Sequence, residues 1–294
     1  MDTFFRAATE GILIGGVYAL IALGVVVISK SSQVFNIAHG EIMMLLAFFT
    51  WWLLEPVGIP LGVSVICVAL LSIVVALACE RFLMRPLIGR PMLIPFIVTL
   101  ILGVFVKGIS ILSWGGTPRS MPQIFPEGSF TLGGGSFSYT LLFSFIVATG
   151  MFVTFVLFFR YTNLGLAMRT AAEDHTVSQS LGINVKRIFA VSWVIGSLSA
   201  AIGGILMGSM FIVDASLGGF TIMRALPVLL LGGVDSIPGA FVGAIIIGLA
   251  ESLSATYIDP HVAEFREVLP FVLMVLILMI RPHGLFGLKT IVRI

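Results

Sequence analysis

Apolar residues run along this chain in stretches long enough to cross a bilayer, and nothing shows the alternating pattern of a barrel strand. Stretches at about 11–29, 40–54, 59–79, 93–113, 139–159, 188–212, 240–257 and 267–281 predict eight full spans, and a shorter apolar piece at about 222–233 predicts a half-span. In hydrocarbon every backbone N–H and C=O needs an internal partner, so helices are the only reasonable form for these segments. The expected fold is an all-α, polytopic transmembrane bundle forming one domain over residues 1–294.

Composition agrees with the pattern. Hydrophobic residues make up 59% of the chain and charged residues 10%, far from the soluble norm. No polar stretch between spans exceeds about thirty residues, so an energy-converting soluble domain has to reside in another chain. The net charge of +2 says little about partners, and no nucleic acid is expected among them. Cys67 and Cys79 lie in one predicted span about 18 Å apart along the helix, too far to bridge. The N-terminus, with Asp2, Arg6 and Glu10 ahead of the apolar run, lacks a net positive region, so the first span is expected to stay in the mature protein.

Of the 16 Lys and Arg, eleven fall on one side: Lys30, Arg81, Arg85, Arg90, Arg160, Arg169, Lys186, Arg187, Arg281, Lys289 and Arg293. Arg6, Lys107, Arg119, Arg224 and Arg266 fall on the other side or near its edge. The positive-inside rule then puts the N-terminus outside and the C-terminus in the cytoplasm. Residues 114–138 become an external loop and 160–187 the largest internal one. Small residues at four-residue spacing (Gly196, Ala200, Gly204, Gly208; Gly11, Gly15, Ala19; Gly239, Gly243) mark close helix packing, within one subunit or between subunits.

Two breaks carry polar residues at membrane depth or its edge. The first, Gln33 to Glu41, crowds Asn36, His39 and Glu41 around Gly40; the second, Gly232 to Gly239, contains Asp235, Ser236 and Pro238. Irregular backbone at such depth is tolerated when buried in protein or lining a water-filled cavity, and broken helices often mark a transporter's substrate path or gate. Two readings stay open for His39, Glu41 and Asp235: helix capping, or a place on the path. Pro238 suits the first turn of the following helix, with Ser236 or Asp235 as its cap and Gly239 behind it. Glu251 falls well inside a span, where an ionisable group is a functional candidate, or else a hydrogen-bonded glutamate that steadies packing.

In the 160–187 segment, Leu164, Ala167, Met168 and Ala171 form one apolar stripe on a short helix, with Glu173 and Asp174 elsewhere on it. Val177 and Leu181 point about 100° away, which requires a second helix. Thr176 to Gln179 matches a capping box for it, Gly182 is a natural stop, and Asn184 leads to Lys186 and Arg187. Such a unit either lies on lipid or docks into a cleft of a soluble partner; its capped, mixed-charge form suits docking better.

The stretch Asn36-Ile37-Ala38-His39-Gly40-Glu41 resembles a motif of the permease subunits of branched-chain amino acid ABC importers, the LivH type of the LivH/LivM family. Three further stretches are similar to that family in order and spacing: Ala172-Glu173-Asp174 followed by Leu181-Gly182-Ile183-Asn184, then Leu231 to Ala240, then Arg281 to Gly287. The matches extend over nearly the whole chain. Two departures stand out: Ala-Ala-Glu replaces the wider importer order Glu-Ala-Ala, with its glycine further on at Gly182, and His283 replaces an expected glutamine.

The resemblance implies a multi-pass subunit of the bacterial inner membrane that pairs with a homologous second permease, two cytoplasmic ATPases and an extracytoplasmic substrate-binding protein. Segment 160–187 would be the joint to an ATPase. No G-x-x-x-x-G-K-[ST] occurs, so ATP and Mg2+ are expected on the ATPase subunits, with no cofactor, metal or enzymatic activity in this chain. Branched-chain amino acids are the default substrate, and related permeases extend the range to urea, amides, aromatic acids and sugars. The competing expectation is an ion-coupled secondary transporter or channel working alone, with Glu41, Asp235 or Glu251 as ion sites.

Overall fold

The computed structural model describes residues 2–91, 93–132, 135–173, 178 and 180–287. Its helices are α1 (Asp2–Ser32), α2 (His39–Leu54), α3 (Leu61–Ala78), α4 (Leu93–Trp114), α5 (Tyr139–Tyr161), α6 (Asn163–Glu173), α7 (Val185–Met210), α8 (Leu217–Gly232), α9 (Ile237–Tyr257) and α10 (Phe265–Ile280). Helix α3 runs on through a π-helical turn, Cys79–Met84, and a 3-10 turn, Arg85–Leu87. Among the described residues six helices are long and apolar enough to cross a membrane: α1, α3 with its extension, α4, α5, α7 and α9. The fold is therefore the polytopic helical bundle that the apolar stretches predict.

The segments expected at 40–54 and 267–281 are helices within two residues of those bounds, but at 16 residues each they are not among the six, and the half-span starts earlier than expected, at Leu217, and continues through Pro227 to Gly232. Helix α1 begins well before residue 11, at Asp2. The external loop expected at 114–138 contains a two-stranded antiparallel hairpin, β1 (Ser129–Leu132) and β2 (Gly135–Ser138), with Ser129 opposite Ser138. Phe130 and Phe137 sit opposite each other there with ring centroids 5.4 Å apart, a cross-strand pair that stabilises a short ribbon.

The chain divides into two compact units, one of Met1–Val26, Phe125–Gly150 and Met223–Ile294, the other of Val27–Ile124 and Met151–Ile222. In the second unit α7 is the centre, packed against both α2 and α3. Its small residues make this possible: a methyl at Gly204 would lie 2.6 Å from the Met43 carbonyl oxygen of α2. One turn from Ala200, the Ser197 hydroxyl donates to the Ser72 carbonyl of α3 at 2.9 Å. Outer faces of α3 and α4 present Val74, Val104, Phe105 and Leu112 to their surroundings, as lipid-facing helices do. Glu80, buried in the π-helical turn, is matched by the Arg85 fork at 2.8 and 3.0 Å.

In the first unit α1 and α9 approach backbone to backbone. A methyl at Gly11 would lie 2.7 Å from the Gly248 carbonyl oxygen, and one at Gly15 would lie 2.8 Å from that of Ala244. Gly243 brings α9 equally close to Val228 of α8. The four-residue stripes are thus used for packing inside this chain.

Candidate functional site

The first break begins where α1 ends. Gln33 adopts φ 55°, a left-handed value that turns the chain out of the helix. Residues beyond it are clipped to α4 by Thr99, whose hydroxyl lies 3.3 Å from the Phe35 carbonyl oxygen and accepts from the Ile37 N–H at 3.4 Å. This clip holds Asn36 and His39 in the interior, where both are almost wholly buried. Among the described residues neither Nδ2 nor Oδ1 of Asn36 has a hydrogen-bond partner, nor do His39 Nε2 and Glu41 Oε2. Buried polar groups are normally paired, so these unpaired atoms make the first break a candidate site.

Gly40 and Glu41 open α2 directly against the start of α8. A methyl at Gly40 would meet the Gly218 carbonyl oxygen at 2.3 Å, and one at Gly218 would meet Glu41 Oε2 at 2.5 Å. Only glycine at both positions permits this approach. A hollow of about 630 Å3 lies elsewhere in the same unit, lined by Leu45, Phe49, Trp52, Val75, Phe105 and Trp114 among others, and none of the polar residues of the break belongs to it.

At the second break α8 ends at Gly232, and Gly233 takes φ 103°. Ser236 caps α9, its hydroxyl oxygen accepting from the Gly239 N–H at 3.1 Å, and Pro238 occupies the first turn. Asp235, the alternative cap, is exposed. Gly232 and Gly239 touch: a methyl on either would fall within 2.2 Å of the other's carbonyl oxygen. Residues far along the chain complete the turn, with the Leu285 N–H donating to the Leu231 carbonyl at 2.8 Å and the Phe286 N–H to that of Gly232 at 3.1 Å. These are carbonyls that a helix end leaves unpaired. Gly284, at φ 74°, would strike the Gly233 nitrogen at 2.7 Å if it carried a methyl.

Glu251 on α9 is not solitary. Its Oε2 accepts from the Tyr18 hydroxyl of α1 at 2.8 Å, and its Oε1 lies 3.2 Å from Nε of Arg224 on α8. Arg224 also lies 4.0 Å from Glu267 of α10. Counted with the cations of the outer edge, Arg224 in fact sits within the helix and faces an acid of the neighbouring span, because a cation inside an apolar segment requires a partner. The signal was present in the sequence: an arginine within a short apolar piece. Tyr18 gave no signal of its own.

In the 160–187 segment the predicted first helix is α6, capped by the Thr162 hydroxyl, which accepts from the Gly165 N–H at 3.0 Å. Its stripe turns inward: Met168 and Ala171 are buried, Leu164 is half-buried, and α6 packs on α7. Leu181, at the far end, is 69% exposed. Gly182 has φ 81°, as a helix stop requires, and the Asn184 side chain caps α7 by accepting from the Arg187 N–H at 3.1 Å. Asp174, Val177, the capping position Thr176 and the side chain of Glu173 lie outside the described residues.

A family model described as the branched-chain amino acid transport system / permease component matches residues 7–278. The chain is similar to the high-affinity branched-chain amino acid transport system permease protein LivH of Escherichia coli (strain K12), with 31% identity over 299 residues, 97% of this chain and 96% of that one. It is equally similar to the corresponding protein BraD of Pseudomonas aeruginosa, 31% over 298 residues with the same two coverages. Among solved structures, PsaBC from Streptococcus pneumoniae in complex with Fab gives a TM-score of 0.51 at 11% identity, covering 92% of this chain and 89% of that one. At that identity the likeness speaks of the fold alone.

Proposed function

The chain belongs to the family of permease components of the branched-chain amino acid transport system, and from that premise we infer that it is the membrane-spanning permease subunit of an ATP-driven importer for branched-chain amino acids. The observation that carries the inference is the family match over residues 7–278. A transport permease of this kind works with ATPase and binding-protein partners. In the finer reading, a homologous second permease completes the pore, two cytoplasmic ATPases hydrolyse ATP with Mg2+, and the binding protein delivers substrate from outside the inner membrane. The N-terminus then lies outside and the C-terminus in the cytoplasm.

Each unit contributes its own residues to translocation: Asn36, His39, Gly40 and Glu41 in one, and Asp235, Ser236, Pro238, Gly239 and Glu251 in the other. Unpaired buried polar atoms at Asn36 and His39 support this reading, since a passing solute can satisfy them in turn. The joint to the ATPase is the end of segment 160–187. Exposed Leu181, beside Gly182 and Asn184, is its contact, and the Leu164 and Met168 stripe holds the unit onto α7.

The test is reconstitution of the full complex in liposomes with labelled leucine. ATP-dependent uptake is expected, together with its loss when Thr170 to Gly182 are deleted from a chain that still folds. Uptake by this chain alone, driven by an ion gradient, would overturn the assignment.

A further inference from the structure

Arg224 and Glu251 stand about 10 Å along their helices from Leu217 and Tyr257, nearly two turns in from those ends of α8 and α9. Below them Val228, Leu229 and Ile247 are fully buried, so the pair sits above an apolar floor. Each side chain keeps a small exposed window, 13% for Arg224 and 11% for Glu251.

We propose that this pair recognises the charged head of an amino acid in transit, the substrate lying head to tail alongside it with its carboxylate on Arg224 and its ammonium on Glu251. The proposal deepens the importer reading and rests on it.

Three observations support it. An amino acid carries both charges into the bilayer, and a charge there needs a counter-charge. The Arg224 Nε to Glu251 Oε1 separation is 3.2 Å, close to the roughly 3 Å between the nitrogen and a carboxylate oxygen of an α-amino acid, as backbone bond lengths require. Two antiparallel dipoles of equal length thus match charge for charge without parting the protein's own pair. Finally, each partner has a second anchor: the Tyr18 hydroxyl holds Glu251 at 2.8 Å, and Glu267 lies 4.0 Å from Arg224. The pair therefore stays oriented as substrate arrives and leaves, and binding remains weak enough for release.

The test uses the complete transporter in proteoliposomes, with labelled leucine at saturating binding protein. The paired change Arg224→Met with Glu251→Leu removes both charges, and because apolar residues often replace a buried ion pair without loss of stability, assembly is expected while uptake falls about tenfold or more. Arg224→Lys keeps the charge and the internal ion pair but loses the planar fork that grips a carboxylate, and an uptake loss of about tenfold is expected. Wild-type uptake in an assembled paired variant would overturn the proposal, since the pair would then be structural only. If that variant does not assemble, Arg224→Lys decides, and uptake within about twofold of wild type sinks the proposal. Absence of leucine uptake by the wild-type complex would instead refute the importer reading itself.

Discussion

The Tyr18 hydroxyl donates to Oε2 of Glu251 at 2.8 Å, a bond between residues 233 positions apart that ties α1 to α9. Because both groups are buried, losing the hydroxyl leaves a carboxylate oxygen less well satisfied. Tyr18→Phe is expected to lower stability by about 1–3 kcal/mol. Thermal unfolding in detergent measures this, and the effect should vanish in a Glu251→Ala background, where no acceptor remains.

Close helix contact at Gly248 gives a second expectation. A methyl there would lie 2.4 Å from the Gly11 carbonyl oxygen, and backbone cannot give way as a side chain does. Gly248→Ala should cost about 1–3 kcal/mol. At Gly108 of α4 a methyl meets nothing within 4 Å, and Gly108→Ala should stay within about 0.5 kcal/mol of wild type. Equal melting temperatures for the two variants would contradict the α1–α9 packing described above.

Asn36 separates stability from transport. It is fully buried and both its amide atoms lack partners among the described residues, so Asn36→Leu should leave the unfolding temperature unchanged or raise it. Leucine uptake by the reconstituted complex should nevertheless fall about tenfold, because a polar solute on the path loses a hydrogen-bond partner. A variant that melts later and transports normally would remove Asn36 from the path.

Leu181 tests the joint to the ATPase. Being 69% exposed, it contributes little to this chain's own core, so Leu181→Asp should shift stability by no more than about 0.5 kcal/mol. Binding of the ATPase subunits, followed by co-purification, should weaken, and ATP-dependent uptake should fall with it. Undiminished uptake would place the joint elsewhere.

Much of this fold is legible in the sequence, for a physical reason. Bilayer length and helical backbone satisfaction identify the spans, glycine and proline identify the breaks, and short-range rules predict the Ser236 cap, Pro238 in the first turn and the Gly182 stop. What escapes is whatever depends on which helices become neighbours. Arg224 and Glu251 are both visible as charges in apolar segments, but their pairing, and the addition of Tyr18, follow from α1, α8 and α9 meeting. The inward turn of Met168 likewise depends on α7 lying beneath α6. The 129–138 hairpin escaped because glycine-rich segments suggest loops, while its Phe130 and Phe137 pairing needs both strands at once.

The carbonyls of Leu231 and Gly232 accept hydrogen bonds from the N–H groups of Leu285 and Phe286, residues made some fifty positions later. At roughly 5–20 residues per second, a ribosome takes about 3–10 s to supply them. During that interval these two carbonyls lack the donors that the finished chain supplies. The turn between α8 and α9 is therefore a late step in biogenesis, and substitutions at Gly284 should reveal themselves first as chains degraded before assembly.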